Sequence, residues 1–203
     1  MRSPSSQASF WVLIAIAVLY AFAEGTFSNW ALPFLVEDRA LPAATAAATL
    51  SVFWGALVLG RLLISALIVR VSAVTVWSLL PLLILLAFLG IPRSSDARSA
   101  LLAFAFAGLA CSAFFPLTVA RATALFPAHT ALMSSIMTAA LMLGVGLGTF
   151  SIAPLRAILG LTTLYRYSAL YPLVVLMLIG VLRLLQAQSA RTAQVVSTVE
   201  LNS

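Results

Sequence analysis

The chain has 203 residues, of which 63% are apolar and 8% are charged, and its mean hydropathy is +1.14. These values exclude an ordinary soluble domain and indicate an integral membrane protein. The net charge of +6 comes from arginines without any lysine. Because these arginines are spread along the chain and form no basic run, we do not expect nucleic-acid binding.

Six apolar segments are long enough to cross a membrane as helices, since about twenty residues at ~1.5 Å each span a hydrocarbon core of ~30 Å. Short polar segments with proline, glycine or charge separate them. We predict a bundle over residues 10–186, between flexible tails at 1–9 and 187–203. The predicted spans are 10–36, 43–69, 72–91, 99–126, 130–154 and 164–185.

The first span also has the features of a secretory signal, with a basic start, an apolar core and a small-x-small end at Ala21 and Ala23. We favour a membrane span, because apolar sequence resumes after Glu24 and five further apolar segments follow. The tripeptide AFA of residues 21–23 also recurs at 105–107. That second copy lies deep inside the fourth span, where cleavage would make no sense.

The recurrence of AFA belongs to a longer internal similarity at an offset of 84 residues. At this offset Ser51 aligns with Ser135, and Gly60 aligns with Gly144. Three spans in each copy is an odd number, so the two copies would enter the membrane with opposite topology, as in many secondary transporters. We therefore predict two inverted three-helix repeats, over residues 10–91 and 99–186.

Glu24 lies near the middle of the first span, where an ionisable residue is costly and is by default a functional-site hypothesis. Two roles fit it, a proton-carrying carboxyl or a hydrogen-bond partner for a polar solute. The alternative is a structural ion pair with Arg61 of the second span. Glu24 and Ser28 are i and i+4 and share one helix face. Asn29 and Trp30 follow directly and add further polar groups.

The first two spans contain LYAFAEGTFSNWALPFLVE and AAATLSVFWGALVLGRLLISALIVRV. They resemble the start of the C-terminal half of a major facilitator superfamily transporter, and in particular the fucose and glucose permease-like branch. The later segments FFPLTVARATALFP and GVGLG are similar to the tenth and eleventh helices of that superfamily. The positions that carry the resemblance are Glu24, Ser28, Asn29, Trp30, Ser51, Phe53, Trp54, Gly55, Gly60 and Arg61.

Two departures from the superfamily pattern stand out. Its signature between the second and third helices of a half has glycine, leucine, aspartate, arginine and glycine. The equivalent segment here keeps Leu67 and Arg70 but has Ser65, Val69 and Ser72 at the other positions. A full transporter of this kind has twelve spans in two halves, and this chain supplies one half.

The resemblance implies a secondary transporter, or half of one, that moves a small polar solute such as a sugar by alternating access coupled to protons, by symport or antiport. It implies no cofactor. The implied partners are the solute, a proton, the lipid bilayer, and a second six-helix half or a copy of this chain. The implied site comprises Glu24, Ser28, Asn29, Trp30 and Trp54 for solute or proton, with Arg61 and Arg121 as gate or ion-pair residues.

Orientation follows from the resemblance alone, because equal numbers of arginines flank the spans on the two sides and the positive-inside rule returns a tie. The resemblance implies the cytoplasmic membrane of a bacterium, with both termini in the cytoplasm. Two other functions remain open. One is a self-contained six-helix exporter or solute-capturing subunit that acts as a homo-oligomer, and the other is a membrane scaffold that transports nothing.

Neither catalysis nor metal binding is predicted. His129 is the single histidine, the carboxylates in the spans are not spaced as a catalytic pair, and the single cysteine Cys111 lies in an apolar segment. The segment GVGLG lies within a span, without a preceding strand or a following lysine, so it predicts close helix packing by Gly144 and Gly148. We expect Pro81, Pro116 and Pro172 to kink their helices.

Overall fold

The computed structural model describes residues 4–201, and within this range it consists of helices and contains no strand. Six helical stretches in the described residues are long and apolar enough to cross a membrane. The prediction of an all-helical fold with six helical stretches able to cross a membrane is therefore confirmed for the described residues. The spans are Ser6–Asn29, Ala43–Leu67, Ala73–Arg93, Ala97–Leu125, Pro127–Leu159 and Leu161–Arg191.

Five of the six spans contain, or are followed directly by, further helical pieces. The first continues past α2 as a π-helix at Phe34–Asp38, and short 3-10 turns lie at Ile91–Arg93 and Pro127–His129. The fourth and sixth are each divided into two α-helices. The α-helices of residues 4–201 are α1 (Pro4–Asn29), α2 (Ala31–Pro33), α3 (Ala43–Leu67), α4 (Ala73–Gly90), α5 (Ala97–Cys111), α6 (Phe114–Leu125), α7 (Thr130–Leu159), α8 (Leu161–Ser168) and α9 (Leu170–Leu201).

Several helix boundaries differ from the prediction. Helix α1 begins at Pro4 and α9 continues to Leu201, so helix extends into both segments that we predicted as tails. The segment 155–163, predicted as a loop, is helical on both sides of Gly160. Gly160 has φ 71° and ψ 153°, a conformation that is essentially restricted to glycine. One glycine is therefore enough to turn the chain from α7 into α8.

Side chains stabilise the starts of two spans. The Ser72 hydroxyl accepts a hydrogen bond from the backbone N–H of Thr75 at the start of α4. Asp96 and Ser99 form a capping box at the start of α5, in which the Ser99 N–H donates to Asp96 Oδ1 at 2.9 Å. This hydrogen bond holds the pKa of Asp96 below its ordinary value. Both caps satisfy backbone groups that a helix start leaves without a partner.

The helices pack in a row of four spans with two spans behind it. Helix α1 packs against α7 on one side and against α6 on the other, while α3 packs against α5. Helices α4 and α9 contact each other, and they pack against α5 and α1 respectively. The first, second, fourth and fifth spans thus form one side of the bundle. We call this side the front row, and it runs in the order α7, α1, α5 with α6, and α3.

Glycines allow close approach between the helices of the front row. A Cβ atom on Gly108 would lie 2.2 Å from the Phe53 carbonyl oxygen, and one on Gly60 would lie 2.5 Å from Ser112 Oγ. A Cβ on Gly144 would lie 2.5 Å from the Cβ of Ala21. Gly148 also packs against α1, with its nearest neighbour in Phe22. The packing role predicted for Gly144 and Gly148 is confirmed.

A cluster of hydrogen bonds joins three connections at the end of the bundle opposite the termini. Asp38 Oδ2 accepts two hydrogen bonds of 2.7 Å, from the backbone N–H and the hydroxyl of Thr162. The Arg39 guanidinium donates to Thr162 Oγ1 at 3.1 Å and to the Pro92 carbonyl at 2.7 Å. We call these four residues the far-end clamp. It ties the segments that follow the first, third and fifth spans to one another.

We predict that Gly144→Ala destabilises the protein, because its Cβ would overlap Ala21 where two helices meet. Overpacking of this kind costs about 1–3 kcal/mol, and each kcal/mol lowers the Tm by roughly 2–4 °C in a chain of this size. Thermal unfolding in detergent, followed by circular dichroism, measures the change. Gly146→Ala is the matched control, since no atom lies within 4 Å of its Cβ position. Equal Tm values for the two variants would contradict the prediction.

Candidate functional site

The fourth span is interrupted in the membrane, between α5 and α6 at Ser112 and Ala113. Pro116 explains the interruption, because proline has no N–H to donate to the carbonyl four residues earlier, and its ring crowds that carbonyl. The carbonyl concerned belongs to Ser112. The kink expected at Pro116 is therefore present as a break, whereas Pro81 lies inside the continuous helix α4.

Two side chains from neighbouring spans donate to backbone carbonyls at this break. The Tyr20 hydroxyl of α1 donates to the Cys111 carbonyl at 2.8 Å, and Arg61 Nε of α3 donates to the Ser112 carbonyl at 3.1 Å. Carbonyls without a helical partner need such donors at membrane depth, since hydrocarbon offers none. We call Tyr20, Arg61, Cys111 and Ser112 the broken-helix junction. It joins the first, second and fourth spans.

Glu24 lies one helical turn after Tyr20 and is half-buried. Its carboxyl lies within electrostatic range of the Tyr20 hydroxyl and of the Arg61 guanidinium. No ion pair within 4 Å joins Glu24 to Arg61, and across the described side chains the ion pair that forms is Arg156 with Glu37 at 3.6 Å. Arg61 is thus bound to a carbonyl while remaining within the electrostatic reach of Glu24.

Ser28 and Asn29 use their side chains differently. The Ser28 hydroxyl donates to the Glu24 backbone carbonyl at 2.8 Å, one turn back in the same helix. Asn29 is exposed, and its Nδ2 donates to Thr149 Oγ1 of α7 at 2.7 Å. Asn29 therefore connects the first span to the fifth, on the side of α1 away from the broken-helix junction.

Helix α3 has polar residues on one part of its exposed surface. At 3.6 residues per turn the residues 51, 54, 58, 61 and 65 fall within a sector of about 80°. The neighbouring exposed sector is purely apolar, with Val52, Leu59, Leu62 and Leu63. We call the first sector the polar face of α3. Its residues are Ser51, Trp54, Val58, Arg61 and Ser65, and all five are exposed.

The polar face lies at membrane depth. Arg61 is six residues before the end of α3 at Leu67, which places its backbone about 9 Å from that end. Trp54 lies two turns further in, with 43% of its surface exposed. The bundle thus leaves a guanidinium and an indole uncovered at a depth where an isolated helix bundle would meet lipid.

The structure does not bring Trp30 and Arg121 to the broken-helix junction. Trp30 is only 8% exposed, the Arg156 guanidinium lies 5.5 Å from the centre of its ring, and its Nε1 has no hydrogen-bond partner. Arg121 donates to Gln186 of α9, near the end of the bundle that holds the termini. Of the predicted residues, Glu24 lies close to the junction, Arg61 belongs to it, and Trp54 shares the polar face with Arg61. Ser28 lies about two helical turns beyond Tyr20.

Sequence reasoning missed the Tyr20 hydroxyl, the two carbonyls at the break and Thr149. The carbonyl of Ser112 had a usable signal, because Pro116 follows it by four residues. No comparable pattern identifies Tyr20 as its neighbour, since the partners in that hydrogen bond are 91 residues apart.

Comparison with known proteins identifies no family: no protein-family model matches the chain, and no curated protein sequence matches it significantly.

We predict that Trp54→Cys reacts with a water-soluble thiol reagent in membranes, because a face that bears Arg61 is costly against hydrocarbon and is therefore expected to meet water. Leu63→Cys is the matched control, since Leu63 lies on the apolar sector of the same helix and is 57% exposed. The native Cys111 is fully buried and should add little background. Mass spectrometry of labelled protein measures both rates. Leu63→Cys labelling as fast as Trp54→Cys would show that the two sectors do not differ.

We predict that Tyr20→Phe lowers stability, because the variant takes away the donor of a buried hydrogen bond to the Cys111 carbonyl. Loss of a partner for a buried polar group costs about 1–3 kcal/mol. The Tm in detergent measures the effect. Tyr167→Phe serves as the control, since Tyr167 is 58% exposed. A Tyr20→Phe variant as stable as Tyr167→Phe would mean that this hydrogen bond does not stabilise the fold.

Proposed function

We propose that this chain is one six-helix half of a secondary transporter, which moves a small polar solute across the membrane by alternating access. The observation that carries the proposal is the uncovered polar surface at membrane depth, with Arg61 and Trp54 on α3 and Glu24 beside them. Charge that faces hydrocarbon is costly, so such groups meet water, solute or other protein. A cavity that opens along the front row meets this requirement.

A second six-helix half, or a copy of this chain, is the partner that we propose for the front row. Solute would be held between the two bundles near the midplane, where secondary transporters place their sites. Trp54 and the free N–H groups of Arg61 would face it. Their mixture of aromatic surface and hydrogen-bond donors favours a sugar as the solute, since such groups bind hydroxyl-rich molecules.

The packing of the spans supports our proposal of two inverted repeats. In such a repeat, spans one, two and three correspond to spans four, five and six. A contact between spans one and five then implies an equivalent contact between spans four and two. Both contacts are present, as are the equivalent contacts of span one with six and of span four with three. Gly60 and Gly144 align at the offset of 84 residues. Each packs against the partner helix of its contact, at Ser112 and Ala21 respectively.

The residue pattern of the first two spans adds a second line of support. It resembles the major facilitator superfamily, and on that basis we propose the cytoplasmic membrane of a bacterium, with the termini in the cytoplasm. We propose transport without any chemical conversion of the solute.

We propose that Glu24 couples a proton to the movement. Tyr20 has one hydroxyl proton and donates it to the Cys111 carbonyl, one helical turn from Glu24. An ionised Glu24 carboxylate would compete with Cys111 for the Tyr20 proton and attract Arg61 more strongly than a protonated carboxyl. The contact between the first span and the break in the fourth then depends on the charge of Glu24. Such a difference biases one state of the bundle over another.

Flux in proteoliposomes tests the proposal. The chain is reconstituted alone and with a candidate N-terminal half, and uptake of a panel of radiolabelled monosaccharides is driven by a pH gradient. We predict that Glu24→Gln abolishes proton-driven accumulation while solute exchange continues, because the glutamine cannot release a proton. Glu37→Gln is the control, since it removes an acid from the end of the same span and should accumulate solute like the wild type.

Other outcomes separate the alternatives. Accumulation by the chain alone, together with a native mass of two copies, would identify a self-contained homo-oligomer. Absence of uptake and exchange under every pairing would refute transport and favour a scaffold. An equal loss of proton-driven accumulation in the Glu24→Gln and Glu37→Gln variants would show that Glu24 has no specific role in proton coupling.

A further inference from the structure

Two arginines near the terminal end of the bundle are bound only to uncharged groups. Arg121 of α6 donates to the Gln186 side-chain carbonyl of α9. Arg183 of α9 donates to the Ser78 hydroxyl of α4 at 2.7 Å. The Arg121 Nε and the Gln186 Nε2 have no hydrogen-bond partner. The charges of both guanidiniums are therefore left uncompensated by their contacts.

The carboxylates are also distributed unevenly between the two ends of the bundle. Among the described side chains, Glu37, Asp38 and Asp96 lie at the end opposite the termini, and Glu24 lies near the middle. The terminal end contains only cations in that part of the chain. They are Arg70, Arg121, Arg183 and Arg191.

An apolar groove of about 170 Å³ lies beside Arg121, between α4 and α6. The hydrogen bond from Trp77 Nε1 to Thr118 Oγ1, 2.8 Å long, fixes one of its walls. Arg121 is four residues before the end of α6 at Leu125, about 6 Å along the helix. The guanidinium thus lies close to the depth of lipid headgroups. The groove is lined by Ala73, Val74, Trp77, Leu117, Ala120 and Arg121.

We propose that this groove binds an anionic phospholipid, with its phosphate on Arg121 and part of an acyl chain along the apolar wall. A guanidinium donates two N–H groups to one phosphate, which gives strong and directed hydrogen bonds. The other arginines at this end of the bundle favour a lipid with net negative charge over a zwitterionic one. The inference does not depend on the proposed transport function.

Binding of defined lipids to the purified full chain tests the site. Thermal shifts and native mass spectra are recorded with phosphatidylglycerol, with phosphatidylcholine, and with inorganic phosphate alone. We expect phosphatidylglycerol to bind and stabilise most, and Arg121→Gln to weaken its binding about tenfold, as loss of a charge-assisted hydrogen bond would. Arg166→Gln makes the same change of charge at the opposite end of the bundle and should bind like the wild type.

A second variant keeps the test decisive if Arg121→Gln does not fold. Ala120→Phe fills the groove without a change of charge, at a side chain that is exposed, and it should also weaken phosphatidylglycerol binding. Three results would overturn the proposal. They are equal binding of the two lipids, an equal shift with inorganic phosphate alone, and Arg121→Gln and Ala120→Phe variants that both bind like the wild type.

Discussion

The need to satisfy every backbone carbonyl inside the membrane shapes the centre of this protein. Pro116 breaks the fourth span, and hydrocarbon offers no donor for the carbonyl that loses its helical partner. Tyr20 and Arg61 supply donors at the break from two other spans. The positions of three spans are thereby linked at one point. Glu24 lies beside that point, so an ionisable side chain within the spans lies where the helices are joined.

Arg61 has both a structural and an electrostatic effect at this point. Among the described contacts only its Nε donates a hydrogen bond to protein, which leaves the terminal nitrogens of the guanidinium available. A lysine could not bind the carbonyl through one nitrogen and leave others available, because its donors all belong to one nitrogen. The residue type therefore explains how one side chain can stabilise a broken helix and still present charge to an open surface.

The sequence was sufficient for the membrane fold, because length and hydropathy alone determine which segments can cross a bilayer. It also identified Glu24 and Arg61, since charge is scarce in these spans. It was not sufficient for the hydrogen bond from Tyr20 to Cys111, which joins residues 91 positions apart and leaves no periodic pattern. Trp30 shows the same limit. Its neighbours in the chain suggested a cavity residue, whereas its indole is buried beneath Arg156, an outcome that only tertiary packing decides.

The far-end clamp has a mechanical consequence for the bundle. Asp38 and Arg39 tie the connections after the first, third and fifth spans into one unit, whereas the links described at the other end are pairs of side chains. If the bundle bends, we expect it to bend about the clamped end, which would then be the pivot. A rotation of about 10° around that pivot displaces the opposite ends of the helices by roughly 5 Å across a membrane ~30 Å thick. A small rotation about the clamped end would thus produce a larger opening at the end of the bundle that holds the termini.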